Sequence, residues 1–180
     1  MWDSMEHVPD AANPTEPDRP ADRGDDPDDL AALERYASAL TDAMVAALPG
    51  WVAAAVIDRL LAAAGSVTEA QRSLAVATGR AVGVDVEPPL RVLLATDVDL
   101  QVTTPLEIVR AHLGRPTEVL RSFGVPPAAR DAFDAERFPD DTYDLAPRSY
   151  ADLDPALADA ALNWGAAKAH VHLRRRRGPG

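Results

Sequence analysis

Apolar residues recur at three- and four-residue spacing along most of the chain, and no long β-branched alternation replaces them. Leu30, Leu33, Tyr36, Ala37, Leu40, Met44 and Leu48 form the first such stripe, the period of a helix with one buried face. Asp28 and Asp29 suit the positive end of its dipole, so the pattern predicts a helix from about Asp28 to Leu48. Pro49-Gly50 is expected to break it. Trp51, Val52, Ala55, Val56, Leu60 and Leu61 then predict a second helix, with Gly65 as its C-cap. Ser66-Val67-Thr68-Glu69 reads as a capping box opening a third helix through Leu74, Ala77, Ala81 and Val82, weakened by Gly79 and Gly83. Pro88-Pro89 sets off a short apolar segment, Leu90 to Ala95. It reads as a short helix or turn, because no partner strand is evident.

Further along, Thr104-Pro105-Leu106-Glu107 combines an N-cap hydroxyl, proline at the first helical position and Glu three residues after the cap. Leu106, Ile108, Val109 and Leu113 follow, and Gly114 is expected to close this helix. Pro116 opens another through Val119, Leu120 and Phe123, stopped by Gly124, and Pro126-Pro127 starts a short one through Phe133. Phe138 to Tyr150 reads as a loop. The last helix is predicted from near Asp154-Pro155 to about Arg176, on the stripe Leu157, Ala160, Ala161, Trp164, Ala167 and Val171. Trp164 is expected to be buried. Gly165 costs about 1 kcal/mol relative to Ala in such a position, which suggests another helix crossing there.

Composition sharpens this into a fold class. Hydrophobic residues make up 47% of the chain and aromatics only 5%, so Ala, Leu and Val must form the core, and small side chains let helix axes approach closely. The expectation is an all-α irregular or orthogonal bundle of roughly six to eight helices. Residues 1–27, acidic and proline-rich, read as a disordered arm. Residues 28–173 are the helical domain, and 174–180 a basic C-terminal tail. Within the arm, Trp2, Met5 and Val8 have the spacing of a short hydrophobic docking motif.

Charge is unevenly placed. Of the formal −11, residues 1–30 carry ten acids against two bases, and residues 168–180 carry Lys168 and four arginines without an acid. A field this negative repels nucleic acid at long range, and only the terminal patch opposes it. The absence of cysteine excludes disulfides and thiolate chemistry. Neither a basic-then-apolar leader nor a membrane span is read: Trp51 to Ala64 is short and interrupted by Asp58 and Arg59. A soluble, cytoplasmic protein with no membrane partner is expected.

The segments TTPLEIVR, RPTEVLRSFGVPPAARDAF, RFPDDTYDL and NWGAAKAHVHLRRRR, between Thr103 and the terminal arginines, resemble small proteins of high-GC actinobacteria. The resemblance spans about two fifths of the chain. It implies a lineage and carries no activity, cofactor or catalytic residue with it.

Candidate chemistry is sparse. Asp97-Val98-Asp99 imitates the acid pair of metal-dependent sugar transferases and phosphatases, but that chemistry requires a parallel sheet to present both carboxylates to Mg²⁺. His170 and His172 are two apart, which on a helix turns the rings to different faces. His112, near a helix C-terminus, reads as a dipole partner. No nucleophile elbow, Walker loop or dinucleotide fingerprint is present. Two features suit binding. Arg174, Arg175, Arg176 and Arg177 could neutralise phosphates without reading bases. In the loop at Phe138, Asp140, Asp141 and Tyr143, aromatics flank acids that would suit a basic partner segment or neutralise the chain's own arginines; alternatively, Phe138 and Tyr143 simply anchor the loop to the core. The reading is a non-enzymatic interaction or regulatory module for a protein partner, without cofactor. The alternatives are weak nucleic-acid or ribosome association through the arginines, and a metal-dependent hydrolase or transferase at Asp97 and Asp99.

Overall fold

The computed structural model describes residues 27–95 and 104–177, Arg177 by its backbone only. Among the described residues there are seven helices and no strand: α1 (Pro27–Ala64), α2 (Glu69–Ala95), α3 (Pro105–Ala111), α4 (Gly114–Ser122), α5 (Ala132–Arg137), α6 (Tyr150–Leu153) and α7 (Leu157–Arg177). The chain is therefore an all-α multi-helix protein, as the periodicity predicts. The N-terminal arm with Trp2, Met5 and Val8, and the pair Asp97 and Asp99, lie outside the described residues.

Helices α1 and α2 form an antiparallel hairpin, the most extensive contact in the molecule. Its tip obeys local rules. Gly65 adopts a left-handed φ of +72° and donates its N–H to Leu61 at 2.8 Å, ending α1 as a C-cap glycine does. The cap of α2 sits two residues later than the Ser66–Glu69 spacing suggests. The Thr68 N–H donates to Gln71 Oε1 at 2.8 Å and the Gln71 N–H donates to Thr68 Oγ1 at 3.3 Å, the reciprocal pairing of a capping box.

Two expected interruptions do not occur. Pro49-Gly50 lies inside α1, and Pro88-Pro89 inside α2. A helical proline forfeits one backbone hydrogen bond and crowds the carbonyl four residues back, a cost of about 3 kcal/mol. Packing offsets it at Pro49, because α2 crosses there on its glycines. A Cβ on Gly79 would lie 2.2 Å from the Pro49 carbonyl oxygen, and one on Gly83 would lie 3.1 Å from the Pro49 ring. Gly79 and Gly83, which lower the helix propensity of α2, make the saddle that seats the proline. Beyond Pro88-Pro89, the fully buried Leu90 and the nearly buried Leu94 continue the stripe of Val82 and Val86 into the shared core, so apolar burial carries α2 through.

Helix α7 packs antiparallel along α1 through Leu157, Trp164 and Val171, all buried. The expected burial of Trp164 is met, with Lys168 Nζ 5.0 Å from its ring centre and the Lys168 pKa lowered by desolvation. The expected helix crossing at Gly165 is not: nothing lies within 4 Å of where its Cβ would be. By length and composition α1 could cross a membrane. Its buried residues, from Ala37 to Leu60, instead join the core.

Between the hairpin and α7 lie the short helices. Thr104 and Glu107 form the predicted capping box of α3. Gly114 opens α4 instead of closing α3, and α5 starts at Ala132, capped by Asp131, instead of at Pro126-Pro127. Ser149 and Asp152 cap the single turn of α6, which begins where the expected loop ends. This region docks on α1 where Trp51 Nε1 donates to the Leu145 carbonyl at 2.9 Å.

Candidate interaction surfaces

The loop from Phe138 to Tyr143 turns inward. Phe138, Asp141 and Tyr143 are buried and Asp140 is exposed. Asp141, with no solvent exposure, accepts from Arg110 Nε at 3.0 Å with one oxygen and from the Leu145 N–H at 2.6 Å with the other. Arg110 also reaches Asp134 at 2.8 Å and Asp144 at 3.7 Å and lies 4.6 Å over the Phe138 ring. The Tyr143 hydroxyl donates to the Val125 carbonyl at 2.9 Å, and Thr117 Oγ1 donates to the Asp140 carbonyl. The aromatic and acidic side chains that suit a partner are thus spent on binding this loop to α3 and α4, leaving Asp140 as the outward member.

Electrostatics at this knot pull in two directions. Burial raises the Asp141 pKa above the ordinary aspartate value, against the bonds from Leu145 and Arg110. Arg110 holds Asp134 below that value. Beside the knot is a cleft of about 520 Å³, lined among others by Glu107, Arg110, Asp134, Asp144 and Arg148. Several of its charges are held in ion pairs: Arg148 with Asp144 at 3.0 Å, and Glu107 with Arg137 outside the cleft at 2.8 Å. Arg110 is the hub that sequence reasoning missed. Its signal, an Arg on a helix preceding a run of Asp, is too common to single out.

The arginine run belongs to the last turns of α7 and is not a separate tail. Arg174 forms an ion pair with Asp29 in the first turn of α1, and His170 Nε2 lies 3.4 Å from the same carboxylate. Part of the basic end is neutralised within the chain, by the start of α1. His170 and His172 flank the buried Val171 as the helical spacing requires, and His112 donates Nδ1–H to the Ile108 carbonyl at 2.7 Å. Among the described residues no group of three His, Asp or Glu is gathered to hold a metal.

Helix α2 carries a second apolar stripe. Of the apolar positions Leu74, Ala77, Ala81 and Val82 that mark this helix in the sequence, only Val82 is buried, and α2 turns Ala75, Thr78, Val82, Val86 and Leu90 toward α1. The other stripe continues on the outside through Val84, Pro88 and Val92, with Val84 69% and Val92 66% exposed. Its N-terminal half runs into a groove of about 430 Å³ against α4, floored by Ala77, Ala81 and Val119 and rimmed by Arg115 and Glu118. Ion pairs edge the stripe: Arg115 with Asp85 at 2.8 Å, and Arg91 with Asp42 at 2.8 Å and Glu87 at 2.9 Å. No protein-family model, no curated protein and no solved structure matches the chain.

Proposed function

We propose that this protein is a non-enzymatic, cytoplasmic interaction module that receives an amphipathic helix of a protein partner along α2. The observation that carries this reading is the exposed stripe Leu74, Ala77, Val84, Pro88 and Val92, with the half-buried Ala81 between them, continuous with the α2–α4 groove. A partner helix laid there would find an apolar floor with small residues at one end and a charged rim, the arrangement of helix-in-groove recognition. Contiguous exposed apolar area on an otherwise charged surface marks contact sites.

A photoreactive amino acid at Val92 tests it in cells. The expected result is an adduct with one protein species that survives nuclease and disappears when Val84→Glu is added, while the melting temperature stays unchanged. Adducts that vanish with nuclease would move the reading to the arginine end and nucleic acid. Adducts indifferent to Val84→Glu would overturn the α2 surface.

A further inference from the structure

The outer face of α7 has the pattern of a helix that pairs with a copy of itself. Asp159, Leu162, Ala166, Ala169, Leu173 and Arg176 follow one another at spacings of three and four, a strict a/d seam. All six are exposed, Leu162 by 70% and Leu173 by 51%. The opposite face, through Leu157, Trp164 and Val171, is used against α1, so the seam points away from the core. Gly165 borders it with nothing within 4 Å of its missing Cβ. Its helix penalty of about 1 kcal/mol therefore buys no close contact among the described residues.

We propose that α7 forms a two-fold, antiparallel homodimer along this seam. The choice of occupant rests on charge. In an isologous antiparallel pair, Leu162 meets Leu173 of the second copy, Ala166 meets Ala169, and Asp159 meets Arg176. Both ends then close with opposite charges. A parallel pair would set Asp159 against Asp159 and Arg176 against Arg176, which disfavours that orientation. At the centre the small residues Gly165, Ala166 and Ala169 allow the axes to approach to the short end of the usual 8–10 Å range. The interface is shorter than the standard size, so dimerisation is reversible and concentration-dependent. This surface is separate from the α2 groove, and the two proposals stand or fall independently.

Sedimentation equilibrium on the full chain tests the pairing. Asp159→Arg and Arg176→Asp, each alone, should weaken the dimer roughly tenfold through two exposed pairs turned repulsive, and the double charge swap should restore it. Leu162→Glu should abolish it. Because the chain has no native cysteine, orientation follows from single-cysteine variants. Leu162→Cys alone should not form a disulfide dimer, its two copies lying about 16 Å apart along the seam. A mixture of Leu162→Cys with Leu173→Cys should. A chain that remains monomeric at millimolar concentration, a dimer indifferent to Leu162→Glu, or efficient cross-linking of Leu162→Cys to itself would overturn the proposal. All these positions are exposed, so unchanged thermal melts confirm that the variants are folded.

Discussion

The long-helix framework and the short-helix region between α3 and α6 are held together by different physics. In α1, α2 and α7, few side chains carry charge into the contact. Adhesion comes from Leu, Val, Met and Trp burial and from backbone meeting backbone where Gly79 and Gly83 admit Pro49. In the segment from Thr104 to Leu153, the helices are too short to bury a full stripe, and a polar knot at Arg110 replaces the missing apolar area. Apolar contact is nondirectional and tolerates salt and acid. A buried carboxylate–guanidinium knot holds only while each member keeps its partner.

The sharpest way to break this contrast is at Asp141. Asp141→Ala takes from Arg110 its fully buried partner, leaving it Asp134 and Asp144, strips the Leu145 N–H of its acceptor, and should cost about 3 kcal/mol in chemical denaturation. Asp141→Asn, which keeps an acceptor for that N–H, should cost less than half as much. Equal losses would mean that the ion pair, not the backbone bond, is what matters.

On the framework side, Trp164→Ala should cost about 3 kcal/mol by cavity formation. Trp164→Phe should recover most of it, because Nε1 is buried without a hydrogen-bond partner and its removal leaves nothing unpaired. A Phe variant as damaged as the Ala variant would show that the indole shape itself is needed. Gly79→Ala should destabilise by about 2 kcal/mol despite the better helix former, since its Cβ would overlap the Pro49 carbonyl. At Gly165, where the space is open, the same substitution should stabilise the monomer by up to about 1 kcal/mol. Two glycines in helices would thus respond with opposite signs.

Acid separates the regions at smaller amplitude. The Asp134 pKa is lowered in the fold, so its contribution is present above the ordinary aspartate value near 3.8 and is lost as pH falls through the folded value. Asp141 has a raised pKa, and protonating it favours the fold as pH falls, the opposite sign. Hydrogen exchange on acidification should therefore loosen α5, and Asp134→Asn should flatten that response without changing protection in α1 and α2. Simultaneous loosening of both regions would show that the knot and the framework unfold as one unit.

Much of this was legible in the chain. Helical periodicity named the fold class, the C-cap at Gly65, the Thr104–Glu107 box and the buried Trp164, because each depends on residues within a turn or two of one another. The arginine end was legible as charge, though its partner Asp29 is 145 residues away in sequence. Tertiary structure decided the rest. Pro49-Gly50 and Pro88-Pro89 are breakers by local rules and helix interior in fact, since burial against a facing helix outweighs a lost backbone bond. Gly79 and Gly165 are indistinguishable in sequence, yet only one is crossed by another helix. Leu74, Ala77 and Ala81 share their period with Ala75, Thr78 and Val82, so periodicity offered α2 two faces, and contact with α1 chose between them. Phe138 and Tyr143 anchor their loop to the core, one of the readings the sequence offered, whereas the buried pairing of Asp141 with Arg110 is decided only in space. Local interactions are encoded within a few residues, whereas which face is covered depends on the element that arrives from elsewhere in the chain.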